Sequence, residues 1–256
     1  MKLKLNHSLS EGYTSATQIA RVLTEGWVNN EAFCPNCGKS SLNKYANNRP
    51  VADFYCSGCR EEYELKSKKG GFGLKIVDGA YHTMIDRLQS RNNPNFFLLN
   101  YDLQHREINN FLVIPKHFFL PEIIEKRKPL GPSARRAGWT GCNILLQSIP
   151  QSGKIYFVRD KKVIHKEQVI ENWQKTLFLR EEKKTKSKGW LIDIMRCIDQ
   201  LGKKEFKLDD LYSFESHLKR MHPENNHIRD KIRQQLQVLR DKQYLEFISR
   251  GLYRLS

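Results

Sequence analysis

The sequence predicts an α/β domain carrying an inserted cysteine module, followed by a winged-helix domain. Three observations carry that reading. Two Cys-x-x-Cys pairs fall among short strand signals between residues 34 and 59. Apolar strands over residues 95–101 and 110–114 are interleaved with helical stretches, the order of an α/β sandwich. Beyond residue 189 the pattern becomes helix, short strand, helix, helix, hairpin, a helix-turn-helix elaborated by a β-wing.

Taken in order, Ser15 and Gln18 are spaced as a capping box ahead of an amphipathic helix bearing Ile19, Val22, Leu23 and Trp27. The cysteine-bearing strands follow and end at a break formed by Gly70, Gly71 and Gly73. A helix is expected over residues 78–89, then the two apolar strands. Residues 126–141, punctuated by Pro129, Gly131, Pro132, Gly138 and Gly141, read as a loop. A short strand at 155–158 and a helix at 166–179 complete a first domain of residues 1–180, with the inserted module at about 33–60. Residues 181–188, E-E-K-K-T-K-S-K, contain no apolar side chain and read as a linker. The second domain, 189–256, should comprise helices at 190–201, 209–221 and 225–243, a strand at 205–208 and a terminal hairpin.

Lys and Arg number 44 against 28 Asp and Glu, a formal net charge of +16 over 256 residues. That excess selects a polyanionic partner: DNA or RNA first, an anionic membrane surface second. No apolar run approaches the roughly 20 residues that span a bilayer, which argues against a membrane protein. The opening M-K-L-K-L-N-H-S-L-S-E lacks the continuous apolar stretch of a secretory signal, so a cytoplasmic protein is expected. A monomer is expected as well.

Cys34, Cys37, Cys56 and Cys59 form C-P-N-C and C-S-G-C knuckles, the spacing of a four-thiolate zinc site. A redox dithiol is the alternative, and two matched pairs disfavour it. Four thiolates close the tetrahedron, so zinc here is structural and any catalysis needs another metal. Gly38 and Gly58 suit the tight knuckle backbones. Cys142 and Cys197 lie in apolar surroundings and read as buried free thiols.

The second knuckle lies inside P-V-A-D-F-Y-C-S-G-C-R-E-E-Y-E-L-K, residues 50–66. Glu64 and Lys66 are two apart, so on a strand they leave from one face, while Tyr63 and Leu65 take the other. Asp53, from a neighbouring strand, would complete two carboxylates and an amine. Such a set holds hydrated Mg²⁺ through Asp53, Glu64 and the Leu65 carbonyl, with Lys66 orienting water or countering charge on a phosphodiester. Asp…Glu-x-Lys alone is weak in a chain that is 28% charged, where Glu64 and Lys66 could simply be exposed neighbours.

Three places are candidates for DNA contact. Arg135, Arg136 and Trp139 lie in the Pro/Gly-rich loop, where the tryptophan could instead close the loop onto the core. The third helix of the second domain carries His227, Arg229, Lys231, Arg233 and Gln234 away from its stripe of Ile228, Ile232, Leu236 and Leu239. Arg250 stands at the wing tip. A solvated helix face, or a zinc-containing winged-helix regulator without catalysis, is the competing explanation.

Read together, P-V-A-D-F-Y-C-x-x-C-x-E-x-E-L-K-S-K-K-G, the upstream C-P-N-C, K-P-L-x-P-x-A-R-R-A-G-W and I-R-Q-Q-L-Q-V-L-R-D-K resemble the DpnI-like restriction endonucleases over essentially the whole chain. The resemblance implies a PD-(D/E)xK nuclease core with a zinc-binding insertion and a C-terminal winged helix. It implies Mg²⁺-dependent cleavage of double-stranded DNA at G-A-T-C carrying N6-methyladenine. Asp53, Glu64 and Lys66 become the catalytic set by motif, and the four cysteines the zinc ligands. One departure stands out: Val51 and Ala52 separate Pro50 from Asp53, so the proline and aspartate are not adjacent.

Overall fold

The computed structural model describes residues 1–46, 52–90 and 93–256; Pro50 and Val51 of the proline-led motif lie outside the described residues. The chain divides into two compact units, Met1–Gln147 with Ser152–Gln174, and Ser148–Gln151 with Lys175–Ser256. The mixed α/β architecture with a four-cysteine cluster and a C-terminal helix-turn-helix unit is the one expected.

The first unit opens with α1 (Ala16–Glu31), which buries Leu23, Trp27 and Val28. Trp27 meets Phe111 edge-on at 5.2 Å between ring centroids. The capping box is not formed: Ser15 holds the N-cap position, but its exposed side chain makes no capping hydrogen bond. Next come β1 (Asn43–Lys44), β2 (Phe54–Tyr55), β3 (Glu62–Lys69), β4 (Lys75–Ala80), α2 (Tyr81–Gln89), β5 (Asn95–Asp102) and β6 (Glu107–Ile114). Then follow β7 (Ile124–Lys126), β8 (Gly141–Leu145), β9 (Ile155–Arg159), β10 (Lys162–Val163) and α3 (Lys166–Gln174).

Among the described residues one sheet runs β1-β2-β3-β5-β6-β9-β10, and a second runs β4-β8-β7. The β3–β5 pair is parallel and the others are antiparallel. Central β5 is buried along nearly its whole length, which is why it reads as a continuous apolar run rather than an alternation. Phe97, Phe111 and Phe157 pack ring against ring at 4.9–5.9 Å, and the stacked Tyr63–Phe97 pair ties β3 to this core.

Two further local expectations are corrected. The helix expected from residue 78 begins at Tyr81, because Ile76, Asp78 and Ala80 belong to β4, a half-buried strand with β-branched residues at 76 and 77. Residues 127–141 are not an open loop. Arg127 donates to Gly141 O, Leu130 to Trp139 O and Gly138 to Leu130 O, which closes a hairpin between β7 and β8.

The second unit holds α4 (Phe178–Glu181), α5 (Thr185–Leu201), β11 (Glu205–Lys207), α6 (Leu208–Tyr212), α7 (Glu215–Met221), α8 (Ile228–Asp241), β12 (Leu245–Ser249) and β13 (Leu252–Leu255). Lysine is a good helix former, and α5 starts within the stretch read as a linker. It stops at Gly202, whose φ of 63° makes a left-handed C-cap. The helix expected at 209–221 is broken into α6 and α7 around Ser213 and Phe214. Ile228, Ile232, Leu236 and Leu239 are all buried, so α8 docks by the stripe the sequence predicts. The sheet β11-β13-β12 forms the wing, whose turn passes through Arg250 and Gly251 at φ 75°.

Candidate active site and DNA-contact surfaces

The four-cysteine cluster is built by the two knuckles. Their sulfur atoms all lie within 4.8 Å of one another, with Cys34 Sγ 3.4 Å from Cys59 Sγ and Cys37 Sγ 3.5 Å from Cys56 Sγ. Tetrahedral zinc–thiolate geometry needs sulfurs about 3.8 Å apart, so the set is compatible with structural zinc. Each knuckle closes with a backbone hydrogen bond, Gly38 N to Cys34 O and Arg60 N to Cys56 O. The residue after each pair adopts positive φ, 73° at Gly38 and 62° at Arg60. Gly58 is not left-handed; a Cβ there would instead lie 3.5 Å from the sulfurs of Cys37 and Cys56. Burial pushes the Cys34 and Cys37 thiols up, so metal must displace protons there. Tyr63 Oη lies 3.2 Å from Cys34 Sγ and links the first knuckle to β3.

The second knuckle is the connection from β2 to β3. Antiparallel pairing sets Phe54 opposite Tyr63, and Asp53 N donates to Tyr63 O at 2.9 Å. The Asp53 side chain then continues the ladder: its Oδ2 accepts the Leu65 N–H at 2.7 Å. This anchors Asp53 on the backbone between Glu64 and Lys66. Burial raises the Asp53 carboxyl above its usual range, against the pull of the Leu65 N–H.

Glu64 and Lys66 do leave β3 on one face, with Lys66 Nζ 2.5 Å from Glu64 Oε1. Two residues the sequence reading missed complete this pairing. Asp78 of β4 accepts from Lys66 Nζ at 2.5 Å, and Arg87 of α2 lies 3.2 Å from Glu64 Oε2. Burial raises the Glu64 carboxyl despite the cations beside it. Burial pulls the Lys66 ammonium down, but Glu64 and Asp78 outweigh it and hold the lysine above its ordinary value. Glu25 of α1 is a further buried carboxylate whose charge reaches Asp53; it is paired with Lys44 at 2.7 Å. A glutamate on the buried face of an amphipathic helix was a visible signal. For Asp78 the signal was the Ile76–Asp78–Ala80 alternation after the glycine break.

In the 127–141 hairpin Arg135 and Arg136 are exposed and Trp139 is half-buried. The Arg136 guanidinium lies 4.8 Å from the Trp139 ring centre. The indole also lies against Gly141, where a Cβ would come within 2.8 Å of Cη2. On α8, His227, Arg229, Arg233 and Gln234 are exposed. Arg229 Nε donates to Glu215 at 2.7 Å, and Arg233 bonds Asp230 and the Tyr212 hydroxyl. Lys231 is half-buried, donates to Gln234 at 2.7 Å and lies 5.9 Å from the Trp190 ring centre. Arg250 is exposed at the wing turn. No helix among the described residues is long and apolar enough to cross a membrane.

The family model described as the Dam-replacing family, DpnI, matches residues 1–182. The model described as the Dam-replacing HTH domain, its C-terminal counterpart, matches residues 186–255. Together these matches take in nearly every residue, including both knuckles, Asp53, the Glu64–Lys66 strand and α8 with its wing. A DNA-binding helix-turn-helix unit joined to this α/β unit is the organisation they describe, and the chain belongs to the DpnI family of restriction endonucleases.

Proposed function

We propose that the chain is a type II methyl-directed endonuclease with a PD-(D/E)xK core, cutting double-stranded DNA at G-A-T-C sites that contain N6-methyladenine. The observation that carries this is Asp53 bound to the Leu65 N–H between Glu64 and Lys66, in a member of a restriction-endonuclease family. Asp53, Glu64 and the Leu65 carbonyl would hold Mg²⁺, oxygen ligands of the kind that ion prefers. When bound, the ion supplies Lewis-acid stabilisation of charge on the scissile phosphate. Glu64 and Asp78 keep Lys66 protonated. A lysine in that state orients water or donates to an oxygen gaining charge.

The cysteine set would hold Zn²⁺ as a brace for the β2–β3 connection, with no open position for chemistry. Trp139, half-buried with its six-membered ring against Gly141, is an apolar group suited to contact with the adenine methyl group. Arg135 and Arg136 suit phosphate contact. On α8, Arg229, Arg233 and Gln234 suit base edges, and Arg250 a phosphate. Such an enzyme would act in the cytoplasm as a monomer, and the free buried thiols Cys142 and Cys197 fit a reducing compartment.

The test is digestion of G-A-T-C plasmid, adenine-methylated or unmethylated, with Mg²⁺ or with chelator, beside Lys66→Ala. Cutting of methylated DNA alone, with Mg²⁺ alone and lost in the variant, supports a metal-dependent, methyl-directed nuclease that uses Lys66. Cutting regardless of methylation removes the methyl reading, and binding without cutting moves the chain to a DNA-binding regulator.

A further inference from the structure

Asp78 lies on a different sheet from the Glu64–Lys66 strand, yet reaches Lys66 as closely as Glu64 does, 2.5 Å in each case. Its side chain is 6% exposed, against 23% for Lys66 and 16% for Glu64. The backbone aims it deliberately. The β4–β8 register shifts between Asp78 and Ala80, leaving Gly79 as the extra residue of a bulge. Gly79 N then donates to Asp78 Oδ1 at 2.7 Å, the same oxygen that receives Lys66. Directly after the bulge, α2 carries Arg87 to Glu64 Oε2. One continuous segment thus supplies counter-charges to both functional side chains of β3, giving the alternating row Asp78, Lys66, Glu64, Arg87.

This row has a consequence for metal entry. In the pairing seen here the Lys66 ammonium takes up Glu64 Oε1, an oxygen that metal would require. A lysine with no other partner would compete for Glu64 with any incoming cation. A lysine with a second, fixed carboxylate can give up Glu64 and stay charged and in place.

Resting on the nuclease reading above, we propose that Asp78 is the positioning residue of Lys66: it retains the ammonium when Glu64 turns to a divalent cation, and so allows both to work together. Asp78 acts through Lys66 and is not itself a metal ligand.

The experiment is a double-mutant cycle on the full-length protein, comparing Asp78→Asn, Lys66→Met and the double variant. Mn²⁺ binding is read by calorimetry, and single-turnover cleavage is read separately as rate and half-saturating DNA. Asparagine keeps an acceptor for Gly79 N; Asp78→Ser serves as a second variant that also can. Expected for Asp78→Asn is Mn²⁺ binding weakened about tenfold and cleavage slowed about 100-fold, with half-saturating DNA within about twofold. With methionine at 66, the same substitution should alter Mn²⁺ binding by less than about twofold.

Equal weakening in both backgrounds would overturn the proposal, since Asp78 would then act on the metal directly. No change in binding or rate would also overturn it, leaving Asp78 only as the anchor of the bulge. Wild-type protein that binds Mn²⁺ but never cuts would refute the nuclease reading, while the calorimetric cycle still decides the Asp78–Lys66 link. Wild-type protein that binds no Mn²⁺ overturns both.

Discussion

The Asp53 carboxylate accepts the backbone N–H of Leu65 at 2.7 Å, so a side chain of the β2 end takes a place in the ladder of β3. The bond sets Asp53 against the residue that separates Glu64 from Lys66. Two properties are therefore separable. Asp53→Asn keeps the acceptor and should hold stability within about 0.5 kcal/mol while lowering cleavage about 100-fold or more. Asp53→Ala loses the bond as well and should unfold about 1–2 kcal/mol more easily. Urea denaturation and plasmid cleavage measure the two effects, and an Asp53→Asn enzyme cutting at the wild-type rate would remove Asp53 from the metal set.

Burial raises both Asp53 and Glu64. A raised carboxyl stays protonated to higher pH, so the ionised pair that metal needs is lost before pH falls to the ordinary carboxylate range of about 4. Lys66 is raised too and stays charged across neutrality. The acid limb of the cleavage profile should therefore lie above that range and move to lower pH as Mg²⁺ is increased, because metal and protons compete. A limb that ignores Mg²⁺ concentration would assign it to other groups.

Gly38 closes the first knuckle at φ 73°, with Ile170 Cδ1 3.1 Å from the position of an added Cβ. Gly38→Ala meets both the left-handed backbone and that contact, and should destabilise the module by about 1–2 kcal/mol. Faster zinc release to a chromogenic chelator is the readout. Stripping zinc from the wild type should abolish cleavage even in excess Mg²⁺, since the second knuckle joins the strands that present Asp53 and Glu64.

The indole of Trp139 rests on the bare backbone of Gly141. Gly141→Ala puts a methyl group within the ring and must shift it. If Trp139 contacts the methylated base, the shifted ring should lower the ratio of cleavage on methylated over unmethylated DNA about tenfold, with methylated DNA still cut. An unchanged ratio would place methyl recognition elsewhere.

Arg229 is held by Glu215 at 2.7 Å on an exposed surface. Glu215→Gln should release it and tighten DNA binding about threefold, whereas Arg229→Ala should weaken binding. If Arg229 meets a phosphate, the salt slope of the alanine variant falls by about one. Fluorescence anisotropy over a salt series distinguishes these outcomes.

Much of the architecture was legible because its elements obey a single period. The stripe of α8 and the apolar run of β5 are both plain in the residues. The cysteine knuckles were legible from spacing alone, and strand alternation placed Glu64 and Lys66 together. Less was readable where two segments distant in sequence meet. Asp78 was assigned to a helix because K-I-V-D-G-A is short and ends directly in α2, with no turn residue between them. Its alternation is only three residues deep, and the pairing of β4 with β8 is what fixes it as a strand. Arg87 looked like any charged residue of a helix face. Arg60 also escaped notice, because positive φ was sought at glycines and the second knuckle places it on an arginine.

The parallel pairing of β3 with β5 bears on the order in which the first unit assembles. Hairpins such as β5–β6 close over a few residues, whereas a parallel pair needs a crossover, here running through β4 and α2. Contacts that close long stretches of chain are slow, because their entropy must be met before they are rewarded. Glu64 and Lys66 ride on the late-joining strand, and Asp78 and Arg87 ride on the crossover itself. If these four side chains form the cutting centre proposed above, it is among the last parts of the first unit to assemble, and a half-folded chain should not cleave DNA.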